Sequence, residues 1–109
     1  MVIAKLLIEK GADVNAQEGL YENALQAASC IGDEAIAQLL IMKGADVNAQ
    51  GGPYGNALQA ASYVGHYAIA KLLIGKGADV NAQGGFYGNA LQAALSRSEE
   101  HTSELQSPA

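Results

Sequence analysis

Apolar residues recur along the chain with the spacing of short amphipathic helices. In residues 67–75, Ala68, Ile69, Leu72 and Leu73 stand at positions i, i+1, i+4 and i+5 and form one apolar stripe. The residues that follow are rich in Asp, Asn and Gly, which suit tight turns. The same pattern along the rest of the chain predicts six short helices, near residues 2–9, 24–31, 34–42, 57–64, 67–75 and 90–96.

This pattern returns with a constant period. The segment Gly-Ala-Asp-Val-Asn begins at Gly11, Gly44 and Gly77, which gives a period of 33 residues. Residues 18–50 and 51–83 are identical at 24 of 33 aligned positions. Helices this short are unstable alone, so each pair must bury its apolar stripe against the neighbouring pairs. The sequence therefore predicts a stack of helix pairs joined by turns.

These residues resemble the ankyrin repeat, whose unit is a β-turn followed by two antiparallel helices. The resemblance covers residues 1–95 and is strongest over residues 71–82, which read Lys-Leu-Leu-Ile-Gly-Lys-Gly-Ala-Asp-Val-Asn-Ala. It implies an all-α fold, an ankyrin-repeat solenoid of paired antiparallel helices with hairpin loops. The segment Tyr-Gly-Asn-Ala-Leu-Gln-Ala-Ala is similar to segments in the ankyrin arrays of filamentous fungi. A tetratricopeptide array, with a period of about 34 residues, is the nearest alternative, but it would lack the Gly-Ala-Asp-Val-Asn segment.

The chain departs from the family pattern where each first helix begins. Asn-Ala-Leu-Gln stands where the family usually has Thr-Pro-Leu-His, starting at Asn23, Asn56 and Asn89. Asn is a favoured N-cap, and Gln59 follows Asn56 at the position of a capping-box partner. We therefore expect each first helix to begin at an Asn cap that the following Gln completes.

The repeat also predicts how the chain is divided. Residues 96–109 do not continue the repeat, and residues 97–107 resemble the conceptual translation of a sequencing-library adapter. The alternative for this segment is a natural acidic tail. We expect a fragment of a longer array, divided into a partial repeat at 1–17 (second helix and loop), whole repeats at 18–50 and 51–83, a partial repeat at 84–95 (first helix), and an artefactual tail at 96–109.

Composition and charge limit the classes of function. The net charge of −5 argues against a nucleic-acid partner, because phosphate recognition needs clustered Lys and Arg. The longest apolar runs, such as residues 6–8, are far shorter than the ~18 residues of a membrane span. Cys30 is the only cysteine, which is compatible with a reducing compartment. We expect an intracellular protein, cytoplasmic or nuclear, with no membrane, nucleic-acid or small-molecule partner.

No combination of residues predicts a catalytic, metal or cofactor site. Asp13 and Asn15 recur once per repeat, so they suit local turn capping better than Ca²⁺ binding, which needs several converging oxygens. Cys30 has no predicted His or Lys neighbour that would activate its thiol. For His66, which precedes a second helix, the ankyrin resemblance implies a role in loop packing.

Differences between the two whole repeats indicate a binding face. The ankyrin resemblance implies that the hairpin tips and the exposed side of the first helices form a concave face that binds other proteins. The differences within this chain fall largely on that face, although drift at exposed positions would give the same pattern. Tyrosines are further candidates because they offer a large contact area at low entropic cost. The predicted partner-binding residues are Leu20, Glu22, Cys30, Ile31, Pro53, Gly55, Tyr63, Val64, Tyr67 and Tyr87.

The sequence therefore predicts a protein–protein interaction module that is not an enzyme and whose protein partner is unidentified. The alternative is an accessory array of a multidomain NTPase or other enzyme, whose catalytic domain would lie outside this chain. The similarity to fungal arrays, some of which carry an upstream NTPase domain, implies this alternative.

Overall fold

The computed structural model describes residues 2–98, which form six α-helices. The six predicted helices are confirmed, and only the last one differs in its bounds. The predicted end of that helix is residue 96, whereas the helix continues to Ser98. The first helix of each whole repeat stops at a left-handed glycine, Gly32 or Gly65, and the equivalent position here is Ser98. The helices are α1 (Val2–Glu9), α2 (Ala24–Ile31), α3 (Glu34–Met42), α4 (Ala57–Val64), α5 (Tyr67–Gly75) and α6 (Ala90–Ser98).

The helices form two parallel rows. We call α2, α4 and α6 the inner helices and α1, α3 and α5 the outer helices. Each inner helix packs against the next inner helix, each outer helix packs against the next outer helix, and α2 and α4 also pack against the outer helices that follow them. The result is an elongated molecule with extents of 51 × 25 × 23 Å. Most of the predicted tail, including most of its adapter-like segment, lies outside the described residues.

The inner helices begin at asparagine caps, as expected. Asn23 Oδ1 accepts a hydrogen bond from the Gln26 backbone N–H at 2.8 Å, and Asn56 makes the same contact with Gln59. The prediction of a reciprocal bond from the glutamine is wrong, because the buried side-chain amide of Gln59 has no hydrogen-bond partner. In the preceding repeat the glutamine binds elsewhere. The Asn23 N–H donates to the Tyr21 carbonyl at 2.7 Å instead, so Gln26 Nε2 is directed to the carbonyl of Gly51 at 3.2 Å. The buried glutamine therefore links its repeat to the next hairpin.

The core is built from aliphatic side chains and alanines. Leu25, Leu40, Ile69 and Leu73 are the largest of the fully buried side chains. Alanines occupy buried positions on the inner helices, which lets those helices approach closely. In the stripe predicted on α5, Leu73 is fully buried but Leu72 is only half-buried.

Two asparagines connect successive repeats on the loop side of the stack. Asn48 Nδ2 donates to the Gly77 carbonyl at 3.0 Å, and Asn48 Oδ1 accepts from the Asp79 N–H at 2.7 Å. Asn15 makes the equivalent pair of bonds one repeat earlier, and we call these two residues the asparagine ladder. Within each loop, Asp13 Oδ1 accepts from the Asn15 N–H at 2.9 Å. The predicted turn-capping role of these residues is confirmed, and the bonds between repeats are an additional role.

Candidate functional site

Three hairpin turns lie next to one another at the start of the inner helices. They comprise residues 18–22, 51–55 and 84–88. Each is closed by a hydrogen bond from the N–H of its first residue to the carbonyl of its last residue, at 2.8, 2.8 and 2.9 Å respectively. The Phe86 N–H donates to the Pro53 carbonyl at 2.6 Å, which joins the last two hairpins directly. This arrangement brings side chains from successive repeats together along one edge.

Four aromatic side chains form a continuous row at this edge, which we call the tyrosine strip: Tyr54, Tyr63, Tyr87 and Phe86. Tyr63, from α4, stacks on Tyr87 of the following hairpin with 4.5 Å between ring centroids. The ring centroids of Tyr54 and Tyr63 are 6.1 Å apart, and Phe86 and Tyr87 form a T-shaped pair with 5.2 Å between centroids. Phe86 is 82% exposed, so the strip ends in a large apolar side chain that is open to solvent.

Close side-chain neighbours raise the pKa values of two tyrosines in the strip. The Tyr87 hydroxyl donates to Tyr63, and this bond is the main cause that raises the pKa of Tyr87 to about 12. The Tyr54 hydroxyl donates to the sulfur of Cys30 on α2, and this bond, with burial second, raises the pKa of Tyr54. The half-buried Cys30 therefore connects the strip to the preceding repeat.

The structure brings together seven of the ten predicted partner-binding positions. Tyr63 and Tyr87 form the centre of the strip, and Cys30 contacts it through Tyr54. Gly55 offers no side chain to a partner: its φ is +85°, and an added Cβ would lie 3.0 Å from the Gly84 carbonyl. The other positions in the hairpins are Leu20, Glu22 and Pro53.

The remaining three predicted positions lie where an inner helix ends or the following outer helix begins, and none of them has a ring contact with the strip. Ile31 and Val64 are the last residues of α2 and α4, and Tyr67 is the first residue of α5. Ile31 lines a 230 Å³ groove between α1 and α2. Tyr67 is 77% exposed and lies in a separate hollow beside Arg97. The structure does not bring these three residues to the strip.

Sequence comparison between repeats missed two members of the strip, Tyr54 and Phe86. Tyr54 is identical in every repeat, since Tyr21 and Tyr87 occupy the same position, and a search for differences passes over an unchanged residue. Phe86 lies in the incomplete last repeat, where it corresponds to Leu20 and Pro53. The available signal was the 33-residue recurrence of tyrosine beside a variable hairpin position.

Glu22 has an unusual backbone conformation. Its φ is +70°, and among the described residues it alone has a positive φ without being glycine. The equivalent residues in the later hairpins are Gly55 and Gly88, with φ of +85° and +92°. The Glu22 side chain covers the next hairpin, since a Cβ added to Gly51 would lie 2.7 Å from Glu22 Cγ. A carboxylate is thus held beside the strip in a conformation that favours glycine.

Charges are distributed unevenly around the molecule. All five lysines lie in, or directly after, the outer helices. The inner helices α2 and α4 contain no charged residue, and Arg97 is in the last turn of α6, where it lies against Gly65. The hairpins contribute two carboxylates, Glu18 and Glu22. The face that carries the strip is therefore aromatic and weakly acidic.

The other candidate chemistry of the chain has structural explanations. The His66 ring packs on Gly32, where an added Cβ would lie within 3 Å of three ring atoms, so the predicted role in loop packing is confirmed. Within residues 2–98, no three His, Cys, Asp or Glu side chains are grouped so that they could hold a metal ion. None of the helices in the described part of the chain is both long and apolar enough to cross a membrane.

Comparison with known families agrees with this architecture. The family model described as ankyrin repeats, in three copies, matches residues 2–84. The chain belongs to the ankyrin-repeat family. No curated protein gives a significant match to it. Ankyrin repeats are protein-interaction modules built on a non-catalytic fold. In this ankyrin-repeat chain, the inner helix α4 and the last two hairpins carry the tyrosine strip.

Proposed function

We propose that this ankyrin-repeat chain binds a partner protein through the tyrosine strip and the hairpins beside it. The observation that carries the proposal is the set of ring contacts that joins Tyr54, Tyr63, Tyr87 and Phe86 into one row across two repeats. Aromatic residues are enriched among the side chains that dominate binding energy at protein interfaces.

The strip also has the rigidity that favours binding. Each tyrosine has few rotatable bonds, and the ring contacts within the row restrict the rings before a partner arrives. Less side-chain entropy is therefore lost on association than for a row of flexible side chains. The exposed Phe86 adds apolar area that a partner would remove from water.

The test is affinity selection with the full chain as bait and a phage library displaying fragments of natural proteins. The affinity of selected fragments is then measured for the wild type, Tyr63→Ala and Phe86→Ala, with Met42→Ala as the control. Met42 is a large, exposed apolar residue on the outer helix α3, which carries no member of the strip. Each strip variant is expected to bind at least about fivefold more weakly, the effect of losing an interface residue worth ~1 kcal/mol.

Two results would contradict the proposal. One is the absence of any fragment that is enriched on the wild type. The other is selected fragments that bind Tyr63→Ala and Phe86→Ala as tightly as the wild type, with circular dichroism showing that both variants remain folded. Tyr67→Ala separates the strip from the wider predicted set: an equal loss of binding in this variant would extend the site to the start of α5.

Three finer predictions belong to the same proposal. We propose that the chain has no catalytic activity of its own, that it acts inside the cell, and that it is part of a longer array. The alternative, an accessory array of an NTPase or other enzyme, stays a prediction. Sequencing the gene on both sides of the region that encodes this chain tests whether the array is longer and whether an enzyme domain accompanies it. A fluorescent fusion of the full gene product tests the compartment.

A further inference from the structure

We propose that the partner segment bound on the tyrosine strip is extended and cationic, and that Glu22 and Glu18 receive one of its Arg or Lys side chains. This inference rests on the proposed function and specifies the chemistry of the partner. The juxtaposition that carries it is a pair of carboxylates beside a row of aromatic rings, on a face from which the lysines are excluded.

The two carboxylates belong to one hairpin that adjoins the strip. The Glu18 N–H donates to the Glu22 carbonyl at 2.8 Å, so the two residues face each other across the turn. The Glu22 side chain extends over Gly51 and Gly52, which belong to the hairpin that carries Tyr54. The negative charge is therefore placed at the end of the aromatic row.

The basic residues of the described chain lie on other elements, so we expect these carboxylates to bind a cation from the partner. The lysines are on or directly after the outer helices, α2 and α4 are uncharged, and Arg97 lies against Gly65 in the hollow that Tyr67 lines. A cationic side chain gains from the carboxylates and also from the electron-rich faces of the neighbouring tyrosines. Arginine is favoured over lysine because its planar group stacks on rings and is less strongly hydrated. An acidic partner would meet repulsion here and no compensating base.

The backbone of Glu22 has a conformation that the equivalent residues of the later hairpins reach with glycine. The later hairpins have glycine at this position, where a positive φ is unstrained. The first hairpin keeps a carboxylate there despite the conformational cost. Backbone outliers of this type concentrate at functional sites, where the surrounding structure compensates for them.

The dimensions of the strip fit an extended segment. The three consecutive ring separations place Tyr54 within about 16 Å of Phe86, the length of roughly five extended residues. The first hairpin lengthens the surface toward Glu22. An extended segment can therefore lie along the row and continue onto the first hairpin, with its cation at that end and apolar residues near Phe86.

The test uses the full chain and a phage library of random ten-residue linear peptides. We expect the wild type to select peptides with Arg or Lys near one end and apolar residues near the other. The double variant Glu18→Gln, Glu22→Gln is expected to bind the selected peptides about three- to tenfold more weakly in low salt, and raising the salt concentration should remove most of this difference. Glu9→Gln, on the outer helix α1, is the charge-matched control and should bind like the wild type.

A charge reversal makes the test sharper. Library selection on Glu22→Lys is expected to enrich Asp or Glu in place of Arg or Lys. All of these variants keep a non-glycine residue at position 22, so the backbone conformation is matched, and circular dichroism confirms that each is folded. Selected peptides that lose binding with Tyr63→Ala but show neither a cationic preference nor sensitivity to Glu22→Gln would overturn this inference and leave the proposed function standing. If no peptide depends on Tyr63, both fail.

Discussion

Replacing Glu22 with glycine and with alanine should reveal how much strain the first hairpin stores. Both variants lose the glutamate side chain, so its contacts with the next hairpin cancel in the comparison. They differ in backbone freedom, because alanine keeps the cost of a positive φ and glycine does not. We therefore expect Glu22→Gly to be more stable than Glu22→Ala.

The magnitude follows from two opposing effects. A left-handed conformation costs an L-residue about 1–2 kcal/mol, and Glu22 has a φ of +70°. Glycine also loses more conformational entropy on folding than alanine does. This lowers the stability of the glycine variant by about 0.4–1 kcal/mol. The net expectation is that glycine is favoured over alanine at this position by roughly 0.5–1 kcal/mol, from the difference between these two ranges.

Urea denaturation followed by circular dichroism at 222 nm measures this difference. The matched control is the same comparison at Gln38, an exposed position inside α3, where glycine should be less stable than alanine by about 1 kcal/mol. The sign of the difference should thus reverse between the two sites. If Glu22→Ala is as stable as Glu22→Gly or more stable, the residue is not held at positive φ in solution, and the strain argument fails.

Gly55 allows the same reasoning to be tested in the opposite direction. It occupies the position of Glu22 in the next hairpin with a φ of +85°, but an added Cβ would lie 3.0 Å from the Gly84 backbone. Gly55→Ala therefore combines a disfavoured conformation with a close contact and should cost more than the ~1–2 kcal/mol of the conformation alone. A smaller loss would show that the neighbouring hairpin moves easily.

Three further predictions concern the core, the ladder and the strip. Leu73→Ala should cost about 2–5 kcal/mol in urea denaturation because Leu73 is fully buried. Leu72→Ala, at a half-buried position, should cost clearly less, and equal losses would contradict the unequal burial of these two residues. Asn48→Ala removes two hydrogen bonds between repeats and should destabilise the chain by about 1–2 kcal/mol, whereas no change would mean that water replaces both bonds. The interaction with Tyr63 that raises the pKa of Tyr87 to about 12 stabilises the folded state fully below pH 10. This stabilisation is lost as the pH rises from 10 to 12. Absorbance at 295 nm should show a tyrosine that ionises near pH 12 and that shifts toward pH 10 in Tyr63→Phe, and an unchanged curve would exclude the hydrogen bond.

The helices were predictable because their signals are local and repeated. An asparagine starts each inner helix, and a glycine ends α2 and α4 at the predicted residue. The end of α6 was missed because Ser98 replaces that glycine. Periodicity alone also could not say whether Leu72 or Leu73 would be buried, since the two residues differ by about 100° around the helix and the neighbouring repeats decide which one they cover.

The candidate site was only partly predictable because its members meet through the stacking of repeats. Tyr63 and Tyr87 are 24 positions apart, and their 4.5 Å contact depends on how one hairpin sits on the preceding helix. Variation between repeats also selected Ile31 and Val64, which directly follow Cys30 and Tyr63 but point about 100° further around their helices. Sequence differences show where the chain is free to vary, but a binding surface also needs residues that never change, such as Tyr54.

The asparagine ladder has a consequence for how quickly the chain can fold. Its bonds join residues 29 to 31 positions apart, and the Gln26 bond to the next hairpin spans 25. In the part of the chain described here, the side chains that link repeats therefore close loops of about one repeat. Closing such loops carries a modest entropic penalty, and low contact order favours fast folding. We therefore expect each repeat to dock on its predecessor without waiting for the distant end of the chain to fold.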